Sequence, residues 1–356
     1  MGAALKIETI DKNFAFKTDI DKKDLCWKSA RHSAFTLHGL MLDEKGYLRM
    51  PTEVANTVND GVRFLHRNTS GGRLTFETNS AYIAVFVKGR IDLMPHFALT
   101  GSGGFDLYFE DEDGALTYYK TFVPPMEGKR GYTSIVEFDA QKMRKILLHF
   151  PLYSAVDELY IGVSETATLR AYTPYPDEPP IVFYGSSITQ GGCASRPGNN
   201  YPAIVSQKTK RDFLCLGFSG SAHGEQTMAQ YIAALPMSVF VLDYDYNDNF
   251  ALDDLRRRHY PFYRTIREKN PDLPIVFMSA PYSECYRQNL EKSYEIVRES
   301  YEKAKANGDN VYFIDGQTMF GEVFKDCATV DGCHPNDFGF LKMAQAVIDV
   351  LESMQK

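Results

Sequence analysis

Two rhythms of apolar and polar residues divide the chain. Before about residue 170 the apolar residues come in short runs rich in β-branched and aromatic side chains: 73–78 (RLTFET), 81–88 (AYIAVFVK), 105–110 (FDLYFE), 116–122 (LTYYKTF), 145–150 (KILLHF) and 158–163 (ELYIGV). Residues 105–110 alternate apolar with polar, the period of a half-buried strand. Asn79-Ser80 and the stretch from Asp111 to Gly114 supply turns between neighbouring runs. Neither a long helical pattern nor an internal repeat interrupts them. Many short strands with regular turns predict a β-sandwich of jelly-roll type over residues 1–170.

The second rhythm begins after residues 171–180, which carry four prolines and read as a linker. From there, short continuous apolar runs at 181–184, 213–217, 239–244, 275–279 and 311–314 alternate with helical patterns at 200–210, 224–235, 253–268, 289–306 and 336–354. Continuous apolar strands separated by helices imply a parallel sheet covered on both faces. Residues 181–356 are therefore expected to form an α/β three-layer sandwich of flavodoxin-like type.

Composition narrows the partners. With 39 Lys+Arg against 46 Asp+Glu the net charge is −7, and no dense basic run offers a nucleic-acid surface. No apolar stretch approaches the roughly 18 residues of a membrane span. The first residues lack the apolar core of a secretion signal, and Lys6 makes the Met-Gly start a poor acylation site. Six cysteines without a C-x-x-C pair read as free thiols, which with the other features predicts a cytoplasmic location. Homo-oligomerisation is compatible with all of this.

In a parallel sheet the residues that follow each strand meet at one rim, where ligands bind. That rim collects Ser186 and Ser187 after the first run, Ser219-Gly220 after the second, Asp245-Tyr246-Asn247-Asp248 after the third, and Asp331-Gly332-Cys333-His334 before the last helix. Serine becomes a nucleophile when an imidazole takes its proton, and the imidazole needs a carboxylate to hold its tautomer. Asp331 and His334 stand three residues apart in one loop, close enough for that pairing. Backbone N–H of Gly220 and the Asn247 amide could meet a developing oxyanion. Ser186 competes with Ser187 for the nucleophile's role. Candidate substrate contacts around the rim are Ser186; His223, otherwise a solvated helix-start residue; Asp245, otherwise a support for loop backbone; and Arg196, otherwise a salt-bridged loop anchor. Asp243-x-Asp245-x-Asn247 starts like a calcium loop, but Asp248 stands where its glycine belongs. No ordered zinc spacing and no phosphate loop is present, so neither metal nor cofactor is expected.

At these residues the chain resembles the SGNH/GDSL hydrolases. Gly185-Ser186-Ser187-Ile188-Thr189 is similar to their Gly-Asp-Ser-Ile-Thr block, Ser219-Gly220 to the glycine block, Asp245-Tyr246-Asn247-Asp248 to Gly-x-Asn-Asp, and Asp331 to His334 to Asp-x-x-His, all in family order. Gly104-Phe105-Asp106-Leu107-Tyr108 resembles the Gly-x-Asp-Leu-Tyr signature of a β-domain that precedes some SGNH esterases. The resemblance implies Ser187 as nucleophile, His334 as base and Asp331 as its orienter, with an oxyanion hole from the amides of Ser187 and Gly220 and the Asn247 side chain. Ser186 departs from the family's Asp and Asp245 from its Gly, which changes pocket polarity rather than reaction class. The expected activity is hydrolysis of short acyl esters, acetyl above all, on a small-molecule or oligosaccharide substrate. The alternatives are a lipid or thioester acylhydrolase, or an inactive carbohydrate-binding protein.

Overall fold

In the computed structural model, which describes residues 20–354 except 127–129 and 324, the first half of the chain forms two antiparallel sheets face to face and a small two-stranded one, Met41–Asp43 with Gly46–Leu48. The expectations for the first residues lie outside the described part. One sheet is ordered Leu25–Ser29, Ala155–Ser164, Tyr82–Arg90, Gly131–Glu137. The other is ordered Leu169–Arg170, Arg73–Thr78, Arg144–His149, Phe105–Glu110, Leu116–Phe122, with Thr36–His38 also paired to Arg73–Thr78. Leu74, Phe76, Val85, Phe105, Leu107 and Ile161 fill one core between them. The strands Leu25–Ser29, Thr36–His38, Met41–Asp43, Gly46–Leu48, Gly131–Glu137 and Leu169–Arg170, and the short helices Thr52–Val58, Asp60–Leu65 and Leu99–Ser102, are not anticipated by the apolar pattern.

The second half matches its predicted rhythm closely. Strands β1 (Ile181–Gly185), β2 (Phe213–Gly217), β3 (Val239–Asp243), β4 (Ile275–Met278) and β5 (Val311–Ile314) form one parallel sheet in the order β2-β1-β3-β4-β5. Helices α1 (Tyr201–Thr209) and α5 (Asp337–Ser353) cover one face, where Tyr201, Val205, Phe340 and Val347 are buried. Helices α2 (Gln226–Ala233), α3 (Leu252–Lys269) and α4 (Arg287–Ala306) cover the other through Met228, Ile232, Phe262, Ile266 and Val297.

The two halves share their packing. Met50, Ala55, Val62 and Leu65 belong to the core on the α2–α4 face, while Leu152 and Tyr153 belong to the core on the other face. Arg49 is buried between the halves and donates to Cys215 O at 3.3 Å, to Gly217 O, and to Leu65 O at 2.7 Å. Its guanidinium lies 4.6 Å from the Phe218 ring centroid. A buried cation is tolerable only when bonded in this way. The proline-rich stretch 171–180 is irregular but tied down: the Thr75 hydroxyl donates to Tyr172 O at 2.5 Å and Arg73 Nε to the Tyr175 hydroxyl at 3.2 Å.

Candidate active site

The sheet ends in the turn that carries both serines. Gly185 closes β1, and a Cβ there would lie 2.0 Å from Thr189 Oγ1 and 2.2 Å from Asp243 O, so only glycine lets the chain fold back onto the strand ends. Ser186 then caps the one-turn helix Ser187–Gln190, its hydroxyl accepting from Ile188 N at 3.1 Å. That bond commits Ser186, which is fully buried. Neither the competing nucleophile nor a substrate contact is found at this position: it is a cap. Ser187 occupies the first helical position, where the backbone N–H has no acceptor within the helix.

Ser187 Oγ lies 2.9 Å from His334 Nε2, and His334 Nδ1 lies 2.8 Å from Asp331 Oδ2. The second oxygen of Asp331 accepts from the backbone N–H of Cys333 at 3.0 Å and of His334 at 2.7 Å. Burial raises the Asp331 carboxyl, but the His334 ring and these N–H groups outweigh it and hold the group below its ordinary value. The loop is pinned from outside as well. Ser283 Oγ donates to Gly332 O at 2.5 Å, and Asn336 caps α5 through bonds from Phe338 N and Gly339 N.

Residues from the first half complete the surroundings. The Tyr153 hydroxyl donates to Ser187 O at 3.1 Å, the carbonyl that also accepts from Gly192 N at 2.8 Å. Ser70 Oγ donates to Gln190 O at 2.7 Å. Phe97 packs edge-on against Tyr153 and His334, with centroids 4.7 and 5.8 Å apart. His96 Nε2 stands 3.7 Å from Asp331 Oδ2. The turn that carries the serine and the imidazole opposite it are thus braced by a β-domain whose own strands lie elsewhere in the chain.

The expected oxyanion donors are arranged differently from expectation. Gly220 N donates to Asn247 Oδ1 at 3.2 Å, and Asn247 Nδ2 donates to Phe218 O and Ala222 O, both at 3.1 Å. The carboxamide is saturated by the loop that follows β2, so neither Gly220 nor Asn247 presents a free donor toward Ser187. Asn247 is a loop staple.

Three further candidates hold loops in the structure. Arg196 is a loop anchor: its Nη1 donates to Asp106 Oδ2 at 3.1 Å and to the Tyr108 hydroxyl, and its guanidinium sits 3.8 Å from the Tyr118 centroid. Asp106 also accepts from Gly198 N at 2.8 Å and Thr121 Oγ1 at 2.6 Å. The Gly-x-Asp-Leu-Tyr signature is therefore a latch on the loop after the serine turn. Asp245 is buried and accepts from Ala280 N and Ser293 Oγ, both at 3.1 Å. Burial drives its carboxyl up to about 7 against those bonds. His223 pairs through Nδ1 with buried Asp248 at 2.5 Å, a bond that lifts its imidazole above the ordinary value. All three hold rim loops together.

Sequence reasoning missed Tyr153, Phe97 and His96 because they lie in irregular segments of the β-half, far from any motif. For Asp106 a signal existed. A polar residue inside the strand Phe105–Glu110 is fully buried because the outer face of that strand is covered by the second half.

The GDSL-like lipase/acylhydrolase family matches residues 178–352, and a domain described as the N-terminus of SGNH-hydrolase-type esterases (GxDLY) matches residues 25–169. A Bacteroides ovatus ATCC 8483 protein designated a GDSL-like lipase is 29% identical, with TM-score 0.85 over 93% of this chain and 98% of that one. The salicylyl-acyltransferase SsfX3 of a tetracycline biosynthetic pathway is 21% identical, with TM-score 0.78 over 94% and 99% of the two chains. A family two carbohydrate esterase from Cellvibrio japonicus shares the fold at 11% identity, TM-score 0.62, over 92% and 97%. Comparison with curated protein sequences gives no significant match.

Proposed function

This chain belongs to the GDSL-like lipase/acylhydrolase family, and we propose that it is a serine esterase that removes short acyl groups, acetyl above all, from hydroxylated substrates of the carbohydrate class. The observation that carries the reading is the unbroken hydrogen-bond chain from Ser187 through His334 to Asp331. Ser187 Oγ attacks the ester carbonyl while His334 Nε2 takes its proton. Asp331 holds the Nδ1–H and stabilises the imidazolium. His334 then protonates the departing alcohol, and water, activated by the same imidazole, cleaves the acyl-enzyme. The Ser187 N–H, without an acceptor within its helical turn, would serve as one oxyanion donor. Gly220 N would join it only by giving up its bond to Asn247 Oδ1, and Asn247 Nδ2 only by giving up a bond to Phe218 O or Ala222 O.

The carbohydrate assignment draws on the esterases of this fold that bear that description and on the polar, accessible Asp331–His334 side of the site. The test is acetate release from an aryl acetate and from acetylated xylo- and manno-oligosaccharides, beside aryl esters of longer acyl chains. Ser187→Ala is expected to lose at least ~10³-fold in kcat, as removal of a triad serine does elsewhere. Equal rates for the two proteins would overturn the nucleophile. Turnover of long acyl esters with none on acetylated sugars would replace the carbohydrate reading with lipid or thioester hydrolysis.

A further inference from the structure

The mouth of the Ser187 site holds more ligating chemistry than ester hydrolysis uses. His96, Cys193, Asp331 and His334 each place one ligating atom so that all four lie within 4.8 Å of one another. They come from three separate segments: an irregular stretch of the β-half, the loop after the serine turn, and the loop before α5. We propose that these four side chains form a site for a borderline divalent cation of the zinc class, and that its occupation switches the hydrolase off.

The donor set fits that ion. Two imidazoles, one thiolate and one carboxylate are the ligands zinc takes in fours, and the two anionic donors balance its charge. With metal–ligand bonds of about 2.0–2.3 Å, the donors of a closed tetrahedron stand roughly 3.3–3.7 Å apart. His96 Nε2 and Asp331 Oδ2 are already 3.7 Å apart. The set therefore needs to close by about an ångström at its widest, within reach of side-chain adjustment. Access is available, since the side chains of His96 and Asp331 are 41% and 31% exposed. Cys193 is the inner member, buried in a left-handed backbone conformation at φ 69° directly after Gly191-Gly192, with its Sγ 3.6 Å from His96 O. No step of ester hydrolysis requires either Cys193 or His96.

Ligation would expel the Cys193 thiol proton to solvent and leave a thiolate–metal bond. Its effect on catalysis follows from the shared residues. A metal on His334 Nε2 occupies the lone pair that must take the Ser187 proton. A metal on Nδ1 displaces the proton that links the ring to Asp331. Either way the relay stops. This regulatory consequence rests on the proposed triad, whereas the metal binding does not.

The experiment separates the two. Zn²⁺ is titrated into the full chain during aryl acetate hydrolysis, and Co²⁺ into Ser187→Ala and into the wild type while the thiolate-to-cobalt charge-transfer band is recorded. Expected are 1:1 inhibition reversed by EDTA and a cobalt band in both proteins. Cys193→Ser should keep basal turnover while needing at least ~10-fold more zinc, the lower bound for losing even an outer partner of a ligand, and His96→Ala should need at least ~10-fold more zinc to halve its own uninhibited rate. Cys193→Ser should lose the band. Inhibition at the same zinc concentration in both variants, or no cobalt band in the wild type, overturns the site. A cobalt band from a protein without esterase activity would leave the site standing and remove the functional reading instead.

Discussion

Gly192→Ala probes how closely the imidazole must be held. A Cβ built at this glycine would lie 2.9 Å from His334 Cδ2, 3.2 Å from Phe97 Cζ and 3.2 Å from Ser187 O. Carbon atoms prefer about 3.5–4.0 Å, so the ring, the phenyl or the serine turn must move by roughly half an ångström or more. Gly192 is not in a left-handed conformation, so alanine adds volume without backbone strain. The serine turn is fixed by the Tyr153 and Gly192 bonds to Ser187 O and by the Ser186 cap, which leaves His334 and Phe97 to give way. Misplacing a catalytic group by 1 Å costs on the order of 10²-fold, so about half that displacement predicts a ~10-fold fall in kcat. Overpacking should also cost about 1–3 kcal/mol of stability. Steady-state hydrolysis of an aryl acetate measures the first and urea unfolding the second. Gly308→Ala is the control: it sits at φ 80° with no atom within 4 Å of its Cβ, so strain alone should lower stability by ~1–2 kcal/mol at unchanged kcat. A Gly192→Ala enzyme with wild-type kcat would refute the claim that the His334 position is set by contact with this loop.

Three further outcomes follow from the contacts around the site. Asp106→Ala leaves Arg196 and Gly198 N without their acceptor in a buried latch, and should lower unfolding stability by roughly 3 kcal/mol; a loss under about 1 kcal/mol would show that the latch is incidental. Asp245 has a folded value near 7 against 3.8 unfolded, so its contribution is fully present below 3.8 and is lost as pH rises through 7. Asp245→Asn should therefore gain on the wild type between pH 5 and pH 8, by roughly 2–3 kcal/mol, and a melting-temperature difference that stays flat over that range contradicts the buried-acid assignment. The imidazole of His223 is raised above its ordinary 6.5 first by its bond to Asp248, against burial, so its support is complete below that value and fades as pH rises through the folded one. His223→Gln is expected to lose more melting temperature at pH 6 than at pH 9, and the reverse order would mean that the pair is not an ion pair.

The sequence by itself determined the second half of the molecule to an unusual degree. Parallel strands buried on both faces must be apolar throughout, and their helices must be amphipathic, so β1–β5 and the five helices stand within one or two residues of where the pattern puts them. The same logic placed Ser187 on one rim with Asp331 and His334, because the ends of parallel strands and the starts of the helices that follow them lie at the same edge. The half-buried strands of the first domain were legible where they alternate and silent where they are short, as at Thr36–His38.

What only the tertiary structure decided is which polar groups are free to react. Ser186 and Ser187 are the same residue type side by side, and they are told apart by a cap bond to Ile188 N that exists only once the turn is folded. Asn247 and Gly220 have the right chemistry for an oxyanion hole, but Gly220 N is taken by Asn247 Oδ1 and Asn247 Nδ2 by the carbonyls of Phe218 and Ala222. Arg196 and Asp106, 90 residues apart, look like a loop cation and a strand's outward polar residue until the two halves close over them. The bracing of Ser187 by Tyr153 and the approach of His96 to Cys193 and Asp331 belong to the same class. Local periodicity reports which side of an element is buried, because burial is a property of neighbouring residues along the chain. Hydrogen-bond commitment depends on partners brought together across the fold, and no pattern along the chain records it.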